Sequence, residues 1–343
     1  MAFQVREGRE RAGDRTGEVL ELVAADESVR AEVWPHWGFN CLRWQVRQSD
    51  GRWADILYAA ADWETNPVPT RSGHPILFPF PGRLGHGTLV HEGRRYTLPA
   101  NDATRSHAIH GFTPRYRWRF IEAAEGDDCA AVTGEFRLGM DLPDLADRWP
   151  ADFALAVTYR LYRDRLRVEA RVRNLGPGTL PFGLGYHPYF RLPGVHDPDV
   201  GGHVLQAHVT AVWEAVENLP TGRRGYLTGD RDFRQPRPIG TTPLDDVFTG
   251  VGAAPSGPGG MAELAVLSHP RALGRVRLWA DPDFRELVLF TPPHRQAVAI
   301  EPYTCSADAA NLALHGIDSG WKILPVGGEW AAAVEYRWEL IEV

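Results

Sequence analysis

Between Phe153 and Asn174 the chain alternates with a period of two. Phe153, Leu155, Val157, Tyr159 and Leu161 are apolar, and smaller or more polar residues separate them. After Arg163-Asp164-Arg165, Leu166, Val168, Ala170 and Val172 alternate with Arg167, Glu169, Arg171 and Arg173. The pattern predicts an antiparallel hairpin with one face buried and one in water. Shorter runs at Val19–Val23, Arg117–Glu122, Val276–Ala280, Glu286–Phe290, Ala297–Glu301 and Ala332–Leu340 predict further strands. Helical periodicity is confined to Ser306–Leu314, where Ser306 is the expected cap and Asp308 favours the first turn. Many strands and few helices predict a sandwich or barrel rather than alternating strands and helices.

Residues 1–16 are polar and predict a loose N-terminal lead-in, with residues 17–343 forming a single domain. Gly250–Gly260 carries no strand pattern and predicts a long surface loop. At 43% hydrophobic and 24% charged residues, the composition is that of a globular chain with a full core. The formal charge of −7 argues against nucleic-acid or anionic-membrane partners, which require a basic face. No apolar run is long enough to span a bilayer. Cys41, Cys129 and Cys305 are widely spaced, which predicts neither a disulfide framework nor a zinc site. Charges near the start argue against a secretory leader there, so the expected compartment is the reducing cytoplasm.

Four segments differ from ordinary core or surface: Ser72–Leu84, His107–Phe112, Gly183–Phe190 and Ile300–Thr304. Each joins a titratable group to glycine or proline and to aromatic rings. His187 and Glu301 precede prolines, which hold them in extended backbone at expected strand ends. Glu301 follows an apolar strand and is either half of a buried ion pair or a carboxylate kept for use. His187 is either a hydrogen-bonded core residue or an acid matched to neutral pH. Gly183 and Gly185 leave room beside it for backbone or ligand, and Tyr186, Tyr189 and Phe190 supply flat apolar surfaces. The His107-x-x-His110 spacing lacks the accompaniments of a zinc motif. His107 therefore reads as a surface residue, and His110 as facing a pocket. Arg83 is a solvated turn residue or a donor fork for hydroxyls or phosphate. Asp245 or Asp246 either makes a local turn or accepts hydrogen bonds from a ligand, with Phe248 nearby for stacking. Signatures of serine hydrolysis, phosphate loops and dinucleotide binding are missing from the sequence.

Five phrases in this order resemble the aldose 1-epimerase (galactose mutarotase) family. They are Phe78-Pro79-Phe80-Pro81-Gly82-Arg83-Leu84, Ile109-His110-Gly111-Phe112, Gly185-Tyr186-His187-Pro188-Tyr189-Phe190, Leu244-Asp245-Asp246-Val247-Phe248 and Glu301-Pro302-Tyr303. The resemblance implies an all-β fold, a galactose mutarotase-like β-supersandwich of mostly antiparallel strands with very little helix. It further implies Glu301 as general base and His187 as general acid, with Arg83, His110 and Asp245 holding sugar hydroxyls. Tyr189 and Phe248 join them as aromatic surfaces. The implied partner is a small monosaccharide; no metal or other cofactor is implied, and oligomeric state is left open. The sequence departs from many members in having Gly82 where an asparagine precedes the arginine. Arg115, soon after the His-Gly-Phe phrase, leaves open a hexose 6-phosphate as substrate. A non-catalytic sugar-binding module would need only the hydroxyl ligands and aromatics. A glycoside hydrolase would need two carboxylates. A protonated His187 beside an ionised Glu301 predicts a bell-shaped pH profile.

Overall fold

The structure is a computed structural model that describes residues 3–12, 15–66, 68–251 and 257–341. Three large sheets, of five, nine and eight strands, carry the fold. The predicted hairpin is present as strands Phe153–Leu161 and Arg165–Asn174, paired from Phe153↔Asn174 to Leu161↔Leu166. Its even spacing has the expected result, since Phe153, Leu155, Val157, Tyr159 and Leu161 are all buried. The hairpin lies in the nine-stranded sheet, where Glu329–Leu340 joins it to Gly274–Ala280. One continuous apolar core reaches all three large sheets.

The eight-stranded sheet positions the site. Across it run Leu219–Gly225, Ala211–Val216, Asp245–Thr249, Glu286–Phe290, Val298–Tyr303, Gly185–Tyr186 and Ile76–Leu77. Tyr189–Phe190 pairs separately with Val298–Tyr303. Parity divides the central strands. Leu287, Leu289, Ile300 and Phe248 point into the apolar core. Val288, Phe290, Glu301, Tyr303, Asp245 and Val247 line a cavity on the opposite face.

Two expectations need correction, and a third falls partly outside the described residues. Phe3–Ala12 is not loose: it forms a strand paired with Arg15–Ala24, from Phe3↔Ala24 to Ala12↔Arg15. A backbone ladder needs no apolar alternation, and buried Phe3 together with the Phe3 N–H bond to the Gly126 carbonyl ties its start down. Residues 1, 2, 13 and 14 lie outside the described residues. The helix occupies Ala309–Leu314, and Ser306 does not cap it. Asp308 precedes it at φ 52°, and its carboxylate accepts from the Gly85 N–H and the Asn311 amide instead. Of the Gly250–Gly260 loop, residues 252–256 lie outside the described residues.

Candidate active site

The cavity encloses about 740 Å³. That lies within the roughly 300–1,000 Å³ usual for small-molecule sites. On its wall, Glu301 and His187 meet: His187 Nε2 lies 3.3 Å from Glu301 Oε1, and both side chains are nearly fully buried. Two strand features bring them together. Val298–Tyr303 presents Glu301 opposite Val288, and the Pro188-fixed turn holds His187 through its N–H bond to the Pro75 carbonyl.

Tyrosines flank the pair. The Tyr303 hydroxyl donates to Glu301 Oε2 at 2.6 Å. The Tyr189 hydroxyl donates to the Thr70 carbonyl at 3.0 Å and lies 3.4 Å from His187 Nε2. A phenol has one proton to give, so the one on Tyr189 goes to Thr70, and its oxygen can only accept from His187. A hydrogen on His187 Nε2 therefore has two acceptors within reach, the Tyr189 oxygen and Glu301 Oε1. The Tyr189 and His187 rings also stack, with centroids 4.7 Å apart. Burial pushes the Glu301 carboxyl well above its usual range, opposed by the Tyr303 hydrogen bond and reinforced by Asp245. Burial likewise lowers the His187 imidazole. No Lys or Arg lies in ion-pair range of Glu301 among the described residues, so the His187–Glu301 contact is placed to share one proton between the two groups.

Polar groups approach from the other side. His110 sits in left-handed backbone at φ 63°, followed by Gly111 at φ 64°. A Cβ on Gly111 would lie 2.1 Å from the Phe78 carbonyl oxygen, so only glycine fits this turn. The His110 ring stands edge-on to His187 at 5.6 Å, with its Nδ1 buried and unpartnered. Burial, His187, Arg115 and Arg83 together keep it neutral. Arg83 pairs in the ladder with Ile109, which puts it beside His110. Its Nε lies 3.6 Å from Asp102 Oδ2. Burial works against the Asp102 charge, yet the Thr104 hydroxyl and the His107 and Ser106 N–H groups hold its pKa down at about 2. Asp102 is thus a fixed anion behind Arg83. Asp245, opposite Phe290, is exposed at the open side of the cavity; the surrounding wall desolvates its carboxyl and raises its pKa, although Arg83 opposes the shift. Asp246 is committed to Arg231, both of its oxygens 2.9 Å from Nε.

Of the residues singled out in the sequence, Arg83, His110, His187, Tyr189, Asp245 and Glu301 all line this cavity. Phe248 does not. It is fully buried in the apolar core, because strand parity turns it away from Asp245's side; Val247 and Phe290 line the wall instead. His107 is buried rather than exposed, since the loop around Asp102 folds over it and its Nδ1 accepts from the His86 N–H. Gly183 and Gly185 make room for Cys305 and for the Tyr303 ring rather than for a ligand. Arg115, noted after the His-Gly-Phe phrase, lines the cavity too, whereas sequence reasoning missed Arg71, Asp102, Trp213 and Tyr303 on its wall. For Tyr303 the signal was available, as it stands two residues from Glu301 on a strand and so shares its face. The others arrive from distant segments without a local pattern. Among the described residues, no group of three or more His, Cys, Asp or Glu is arranged to hold a metal ion.

Comparison with known proteins bears on the family and the fold. The family model for aldose 1-epimerase matches residues 23–337. A galactose mutarotase from Sus scrofa is 26% identical over 232 residues, 65% of this chain and 63% of that one. The uncharacterized protein YihR of Escherichia coli is 27% identical over 245 residues, 71% of this chain and 72% of that one. Thus the match spans less than two thirds of the mutarotase's own length. Among solved structures, a galactose mutarotase-like protein from Clostridium acetobutylicum superposes with a TM-score of 0.85 at 21% identity, covering 99% of both chains. Fold, ordered motifs and family match lead to one conclusion: the chain belongs to the aldose 1-epimerase family.

Proposed function

We propose that the protein is an aldose 1-epimerase that interconverts the α and β anomers of a free hexose such as galactose or glucose. The observation that carries this reading is the 3.3 Å contact between His187 Nε2 and Glu301 Oε1 on the cavity wall. The ring oxygen and the anomeric hydroxyl share one carbon, so the groups that serve them must converge on one point of the wall, as these two do. Glu301 takes the proton of the C1 hydroxyl while His187 gives one to O5, and the C1–O5 bond breaks. A half-turn about C1–C2 presents the other carbonyl face. Glu301 then returns its proton to the carbonyl oxygen as His187 recovers one from the C5 hydroxyl. Acting together, the two groups avoid a free alkoxide or oxonium, and each such catalyst is typically worth about 10²–10⁴ in rate. In this reading Arg83, His110 and Asp245, which line the same cavity, hold the remaining hydroxyls.

The test is polarimetry on freshly dissolved α-D-galactose and α-D-glucose in a weak, non-phosphate buffer. Acceleration is expected, with loss in both Glu301→Gln and His187→Asn. Sugar binding without acceleration would leave a binding module instead.

A second reading has its own support. Arg115 and Arg71 line the cavity with no carboxylate in ion-pair range among the described residues, and the Arg115 Nε is buried without a partner. Burial acts against the Arg115 charge, which an anionic substituent would compensate. If the substrate is a hexose 6-phosphate, NMR exchange on glucose 6-phosphate should exceed that on free glucose. Arg115→Gln should then lower only the former, by about tenfold or more.

A further inference from the structure

Glu301 has two carboxylate oxygens, and the structure gives them different neighbours. Oε1 faces His187, whereas Oε2 takes the Tyr303 hydroxyl at 2.6 Å. Tyr303 has little freedom to do otherwise. It is 2% exposed and stands opposite both Glu286 and Gly185 in the ladder. A Cβ on Gly185 would lie 2.5 Å from Tyr303 Cδ1, so the missing side chain is what lets the ring lie flat there. The ring lines the cavity, but its hydroxyl is spent on Glu301.

We propose that Tyr303 is a positioning residue for the acid–base step: it occupies Oε2, so that Oε1 alone is presented as the base. This rests on the epimerase reading above. The bond also stabilises the ionised carboxylate over the acid, because a phenol donates more strongly to an anion. Without it, Glu301 would hold its proton more tightly and turn freely about its terminal bond. The charged and titratable groups that face Glu301 from other elements are His187, Tyr189, Asp245 and Tyr336. None of these supplies a second donor to Oε2 at hydrogen-bond distance among the described residues.

The test uses the full chain with Tyr303→Phe, and with 3-fluorotyrosine at position 303, a stronger donor of nearly the same shape. The carboxylic C=O infrared band that disappears in Glu301→Gln reports the Glu301 proton directly. Its titration midpoint is expected to move up in Tyr303→Phe and down with fluorotyrosine. The alkaline limb of kcat/KM should follow in the same directions. In Tyr303→Phe, kcat should fall about 10- to 100-fold, as expected for losing one hydrogen bond to a charged group, with KM within about twofold. A merely structural tyrosine would leave the band and both limbs unmoved in a folded variant, and that result overturns the proposal. Should the band move in a protein that turns over no aldose, the epimerase reading fails while the hold of Tyr303 on Glu301 stands.

Discussion

Two buried histidines, His74 and His187, separate what holds this protein together from what it is placed to do. Burial lowers both imidazoles, His74 to about 3. Their partners differ. At His74, the Tyr159 hydroxyl donates to the His74 carbonyl at 3.2 Å, which leaves its oxygen to accept from Nδ1 at 3.1 Å. Nε2 then accepts from Tyr336 at 2.9 Å, and a neutral ring is fully satisfied. His187 instead has an unpartnered buried Nδ1, and its Nε2 faces a carboxylate across a cavity wall. Equal burial therefore says little about role; the set of partners does.

The largest expected effect separates the two sites outright. His187→Asn should lower kcat by about 10²–10⁴ with little change in melting temperature. His74→Leu should leave the Tyr336 hydroxyl buried and unpaired, at about 1–3 kcal/mol, and take from Tyr159 only the bond its oxygen accepts, while activity per folded molecule stays within a few-fold. Loss of activity without loss of stability in His74→Leu would break the comparison.

Next comes acid stability. The folded His74 pKa is depressed to about 3, below the unfolded value of 6.5, so the unfolded state binds the extra proton between them. Stability is fully present above the unfolded value and falls with decreasing pH towards 3, by about 1.4 kcal/mol per pH unit for each such histidine. Denaturant melts from pH 7 to 4 should show a slope that is shallower by that amount in His74→Leu.

The pH profile of activity sharpens the His187 side. The bell expected from sequence requires a protonated histidine with an ionised glutamate. Burial drives the pair the other way, with Glu301 up and His187 down, while the proton count stays at one. The one-proton window is therefore widened at both ends. kcat/KM should be level through neutral pH and fall only where the pair gains a second proton or loses its last. A narrow bell centred between the unperturbed values would contradict this.

Smaller effects test strand parity. Phe290→Leu should raise KM about threefold at unchanged stability, whereas Phe248→Leu should cost about 1 kcal/mol and leave KM alone. Asp245→Asn should raise KM more than Asp246→Asn, because Asp246 already serves Arg231.

Much of this was legible in the sequence, and for physical reasons. The Phe153–Asn174 hairpin could be read because one face is apolar throughout, so burial fixes its register. Glu286–Phe290 was placed to the residue. His187 and Glu301 stood out because prolines and aromatics around a titratable group are expensive to keep by chance. The sequence was less clear about which side of Asp245–Thr249 faces the cavity: Phe248 and Val247 are both apolar, and a one-residue choice reverses the answer. The first strand was hidden by its polar side chains, since its pairing is made by backbone. Asp102 and Arg71 belong to loops whose convergence no local pattern records.

The direct touch of His187 and Glu301 has a bearing on inhibitor design. A ligand must separate a histidine and a carboxylate that already satisfy each other, and only a molecule with two oxygens on one carbon replaces what each loses. Polyols and 1,5-anhydro sugars, however well their other hydroxyls match, leave one partner unserved and should compete poorly.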